Sequence, residues 1–214
     1  AARAQVFGTM FRGNTAGTTA NNAFVTSHLD FRSIAEDIIS SSADQIIGAA
    51  KKYEAFLDAA GLHMGADIYH ALTPQATPEA DAMAEAARHE LVVSVFETAD
   101  RVLDAMFATD GWVAGLSDDL KAFTSAKMDV IASSNARSEE KAGMARKLLA
   151  NDFLLRGVNA EIFTSKAGMD EPAGKIVLEV SKIVQSLLNN VTVDKGSAIY
   201  EPAQELFQTL RDKH

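Results

Sequence analysis

After residue 30, apolar residues recur every three to four positions along almost the whole chain, the spacing of helices that bury one stripe. Ile34, Ile38, Ile39, Ile46, Ile47, Ala50, Tyr53, Phe56, Leu57 and Ala60 follow one such stripe. It predicts a long helix that opens on the capping box Ser33-Ile34-Ala35-Glu36, weakens at Ser40-Ser41-Ser42 and stops at Gly61. Residues 64–72 fit a short helix and residues 74–78 a loop. Thr77-Pro78-Glu79 is a helix start, with Thr as N-cap and Pro at the first helical position. The stripe behind it runs Met83, Ala87, Leu91, Val95, Ala99, Val102, Met106, to a stop near Asp110-Gly111.

Ser117-Asp118-Asp119 opens the next helix, with Leu120, Phe123, Met128 and Ile131 as its buried face and Ser134-Asn135 as its break. Ser138-Glu139-Glu140 opens another, through Leu148, Leu149 and Phe153 to a stop at Gly157. Residues 158–165 read equally well as a short strand or a helical turn. Asp170-Glu171-Pro172 then starts the clearest amphipathic face in the chain, Ile176 to Val191. A turn at 194–196 leads to a last helix, begun near Ile199 or Tyr200 with Pro202 in its first turn. The expectation is an all-α domain over residues 30–214, about six helices packed as an antiparallel bundle.

Residues 1–29 break this pattern. The chain carries 29 Asp+Glu, so about four are expected in such a stretch; the first is Asp30. Hydroxyl, amide and glycine side groups dominate there, and the apolar residues gather early as Val6, Phe7, Met10 and Phe11. The expectation is an extended N-terminal arm over 1–29 that holds a partner subunit. Its contact points would be Val6, Phe7, Met10, Phe11 and Phe24, with Arg3 and Arg12 meeting acidic surface. An acid-free, Arg-bearing, hydroxyl-rich composition also matches an organellar transit peptide, which points to an intracellular, organellar compartment.

Charge sharpens the contrast. Net charge is −9; Arg3 and Arg12 give the first 29 residues +2, which leaves −11 for residues 30–214. A body this acidic repels a phosphate backbone, so protein subunits rather than nucleic acid are the expected partners. No apolar run approaches the roughly 18–20 residues of a membrane span. With 47% hydrophobic and 23% charged residues the chain can bury a core,.

Candidate chemistry is sparse. The 214 residues contain no cysteine, which excludes thiolate catalysis and thiolate-held metals within them,. No G-x-S-x-G, Walker-type or G-x-G-x-x-G run occurs. Among the histidines, Glu85 and His89 share a helix face, but a di-iron bundle needs Glu-x-x-His twice. An exposed His89 paired with an acid is expected instead, and no metal or cofactor is assigned. The acidic pairs at 118–119, 139–140 and 170–171 sit at helix starts, where the helix dipole accounts for them. Trp112, between helices, either caps the end of the bundle or anchors a partner.

The function expected is a non-catalytic structural subunit of a larger assembly. A ligand- or cofactor-binding regulatory bundle is the alternative, expected to show a closed apolar cavity of a few hundred Å³. An enzyme with a bundle-core site is the third reading.

Overall fold

Side chains that take up orphan N–H groups of the first turn mark three of the helix starts, at Asp30, Ser117 and Asp170,. In the computed structural model, which describes residues 16–63, 68, 71, 82–108, 112–189 and 200–214, every regular element is helical. They are α1 (Ala16–His28), α2 (Phe31–Ser41), α3 (Ala43–Ala60), α4 (Ala82–Phe107), α5 (Asp118–Ala132), α6 (Ser138–Leu149), α7 (Asn159–Ser165), α8 (Glu171–Leu188) and α9 (Glu201–Lys213). Between α6 and α7 the chain does not break: Ala150–Val158 is a π-helical segment.

Ser117 caps α5 by accepting from the Leu120 N–H at 3.3 Å, and Asp170 caps α8 by accepting from Ala173 at 3.3 Å. The acidic pairs lie where the dipole favours them, in the first turns of α5 and α6 and at the cap and first residue of α8. Gly61 stops α3 at φ 64. There the Leu62 N–H reaches back to the Leu57 carbonyl at 2.8 Å, a Schellman closure that only a residue tolerant of left-handed backbone permits cheaply.

Several expectations change, and the described residues hold nine α-helices where about six were expected. The first helix begins two residues before the Ser33 box: Asp30 is the cap, accepting from Ser33 N–H at 3.1 Å. The earlier start places Phe31 in the core, 6% exposed. The serine run is a full break between α2 and α3, at Ser42. Gly157 stops nothing, and residues 158–165 are helical. A Cβ on Gly157 would lie 2.3 Å from the Phe31 ring, so the glycine serves close approach rather than termination. Met83, first in the α4 stripe, is 72% exposed.

The arm expectation divides. Arg3, Val6, Phe7, Met10, Phe11 and Arg12 lie outside the described residues, as do the predicted turns and helix starts at 64–67, 72–81 and 190–199. Residues 16–28 are helix rather than extended chain, and Val25 is 1% exposed within the core.

The core gathers around α4, which packs against α3, α8 and α9. Leu91, Val95, Ala99 and Leu103 from α4 meet Tyr53 and Phe56 from α3 and Ile176 and Val184 from α8. The π segment carries α1 and α2 on its flank and α8 on another. Its buried positions come in two triplets, Asp152-Phe153-Leu154 and Gly157-Val158-Asn159. The triplets are five residues apart, the repeat of i→i+5 bonding.

Candidate functional site

Several polar groups inside the fold are matched to one another, whereas the buried Ser42 hydroxyl has no hydrogen-bond partner among the described residues. Asp152, 5% exposed on the π segment, accepts from Lys127 Nζ of α5 at 2.6 Å and from Asn21 Nδ2 of α1 at 3.0 Å. Lys127 also donates to Asn21 Oδ1 and lies over the Phe123 ring at 4.2 Å. This triad ties three separate elements. Asn159 and Ser181 bond reciprocally between α7 and α8, at 3.1 and 3.2 Å. Arg88, 6% exposed, donates to the Ala71 carbonyl at 2.7 Å and stacks on Tyr200 at 4.2 Å. The Tyr200 hydroxyl donates to Glu85 at 2.7 Å. Burial, then the Glu85 carboxylate, pushes the Tyr200 phenol up to about 12. Glu85 is thereby engaged with Tyr200 and Arg88. These matched groups hold elements together; each has a partner in the fold.

At the end of α9, Asp100, Asp104 and His214 present ligand atoms within 4.8 Å of one another. Lys213 Nζ already lies 2.7 Å from Asp100 and 3.1 Å from Asp104, and supplies the positive charge a cation would bring. Burial would raise the Asp100 carboxyl, but hydrogen bonds from Lys213 and His214 outweigh it and hold the group below its usual range.

The surface is less balanced than the interior. Phe107, Val113 and Leu149 are 42%, 37% and 40% exposed and border one cleft. Its larger lobe, about 630 Å³, has an apolar floor that includes Leu103, Leu154, Leu187 and Leu188. The charged and titratable residues lining this lobe are Arg146, Lys147, Arg211 and His214, all basic. The smaller lobe, about 370 Å³, adds Trp112, Val113, Leu116 and Phe153, with Lys121 its one charged residue. Phe107, Leu149 and Leu154 line both lobes, so the two adjoin.

Carboxylates are therefore missing from the lining of a cleft in a chain of net charge −9. Arg146 and Lys147 sit in the last turn of α6, where cations ordinarily complement exposed carbonyls. That account fails here, because the helix runs on. The Ala150 N–H bonds the Arg146 carbonyl, and the Asn151 side chain donates to the Lys147 carbonyl at 2.7 Å. Among the described residues neither side chain has an ion-pair partner.

Of the residues expected to meet partners, Phe24 packs within the chain, its ring 4.3 Å from His28 and 4.4 Å from Phe123. Trp112 does two things. Its indole N–H donates to the Met106 carbonyl at 3.1 Å and closes the end of α4, and its ring lines the smaller lobe opposite Phe153. The pattern reading ran α6 through Leu148 and Leu149 together. Neighbours on a helix point about 100° apart, and Leu148 is fully buried while Leu149 faces the cleft. That adjacency was the available signal. Phe107 and Arg211 carried none, since their roles depend on which helices meet. Among the described residues no helix is long and apolar enough to cross a membrane. Compared with models of known families, with curated proteins and with solved structures, the chain shows no match.

Proposed function

We propose that the protein is a non-catalytic structural subunit of a larger assembly, an acidic antiparallel helical body with an N-terminal arm, and that the cleft is its principal contact with a neighbour. The observation that carries this reading is the cleft wall, where Phe107, Val113 and Leu149 stay exposed beside one another and beside Trp112. Contiguous exposed apolar surface rimmed by polar groups is what protein interfaces present before assembly. Covering Phe107 and Leu149 would contribute roughly 1 kcal/mol each, from the fraction of a large side chain still to be buried. The ligand-binding alternative is favoured by a closed cavity, which buries most of a small molecule's surface. This cleft is open along the Phe107–Leu149 wall instead.

Site-specific cross-linking tests the reading. A photoreactive phenylalanine analogue at position 107, in the protein expressed in its own cell, is expected to give discrete adducts with one neighbouring subunit. The same analogue at Glu54, an exposed position on α3, should give none. Indistinguishable patterns at the two positions would refute the reading.

A further inference from the structure

The lining of the cleft specifies more than an apolar contact. Gly143, Arg146, Lys147 and Ala150 face it from α6 and its junction with the π segment, the i, i+3, i+4, i+7 series of one helix face, with Leu149 and Leu154 beside them. From Gly143 to Ala150 the helix rises about 10 Å, about two turns bordering the cleft, and Leu154 beyond them is 7% exposed and joins the floor to the core. Across from it stand Leu187 and Leu188 of α8 and Arg211 of α9. Gly143 and Ala150 leave room for a backbone, and a Cβ on Gly143 would meet nothing within 4 Å.

Resting on the assembly reading, we propose that the cleft receives an amphipathic helix of a neighbouring subunit. Its apolar ridge would fill the floor between Phe107 and Leu188, and its flanking carboxylates would meet Arg146 and Lys147. Charge complementarity selects this occupant. The lining holds cations and no carboxylate, while the remainder of the chain is strongly acidic. An acidic helix meets complementary charge there, against a chain whose net charge is −9,. The N-terminal segment does not match: residues 1–29 carry Arg3 and Arg12 and no carboxylate. Docking a helix in a groove through i, i+3, i+4 and i+7 anchors is a recurring mode of recognition, and the open wall suits a helix better than a lipid chain.

The test uses the full chain and two designed amphipathic peptides. Both carry the same leucine ridge, one flanked by Glu and the other by Lys, each labelled for fluorescence anisotropy. The Glu peptide is expected to bind and the Lys peptide to bind at least about tenfold more weakly. The Arg146→Glu/Lys147→Glu double variant should reverse that order, and high salt should weaken the Glu peptide's binding. Circular dichroism checks that the variant is folded. Equal binding of the two peptides, binding of neither, or no effect of the double variant would overturn the proposal. Oleate that binds at the cleft and displaces the Glu peptide would assign the site to a lipid instead. A chain that self-associates through the cleft, with dimerisation lost on Leu149→Glu, would assign it to a second copy. If the peptides fail while position 107 still cross-links to a neighbour, the acidic-helix inference falls and the assembly reading stands. If both fail, both fall.

Discussion

Single residues carry much of this fold's specificity. Gly157 is the sharpest case, because a methyl group there must displace the Phe31 ring, 2.3 Å away. Gly157→Ala is expected to cost about 1–3 kcal/mol by overpacking, read by urea denaturation, and Phe31→Leu should recover part of the loss. Asp152 is next. Asp152→Ala leaves Lys127, whose side chain is only 18% exposed, without its carboxylate. A loss of about 3 kcal/mol is expected; a loss under 1 kcal/mol in the same denaturation assay would show that the triad holds nothing together. Tyr200 supplies a pH signature. Its phenol is held neutral in the folded protein to about 12, above the ordinary value of 10.0. The contribution is therefore complete below pH 10 and lost as pH rises towards 12. Stability of the wild type should fall faster than that of Tyr200→Phe across that window. The difference in absorbance titration between the two proteins should show one phenol ionising near 12. Neither Gly157's role nor the Asn21–Lys127–Asp152 triad was legible beforehand, since each joins positions remote in sequence.

At the scale of elements, the periodic pattern was a good guide wherever a helix has one buried stripe and a side-chain cap. α5 and α8 begin at the residues their sequence marks. The cap of α8 gives a direct check: Asp170→Ala should cost about 1 kcal/mol in thermal or urea unfolding. The pattern misread elements whose boundaries are set by contacts elsewhere. The stretch 158–165 reads as strand or turn by itself, but it continues the π segment and is fixed to α8 by the Asn159–Ser181 pair. α1 was taken as extended because its apolar residues are few. Val25 in the core and Asn21 on Asp152 are what hold it, and no periodicity encodes either. Glu85 turned from the expected His89 to Tyr200 and Arg88 for the same reason: a tertiary partner outcompetes the neighbour one turn along the helix.

For the molecule as a whole, an acidic all-helical body was readable from composition and pattern, and the expectation of protein partners came from the acid-free arm together with the charge of the body. The cleft was not readable, because it exists only where α4, α6, α8 and α9 converge. Its chemistry inverts that of the chain, cationic where the rest is anionic. Leu149 is the residue through which the claim is most directly exposed. It is 40% exposed, so Leu149→Glu should cost the isolated chain about 1–2 kcal/mol and leave it folded by circular dichroism, while placing a carboxylate and removing an anchor where the neighbour docks. The decisive measurement is the native mass of the particle that contains this protein, isolated with wild-type chain and with Leu149→Glu. A subunit held through the cleft predicts a wild-type particle several times the 22.9 kDa of the chain and a variant that no longer co-migrates with it. A wild-type chain of monomer mass, or a variant that remains fully assembled, would contradict it.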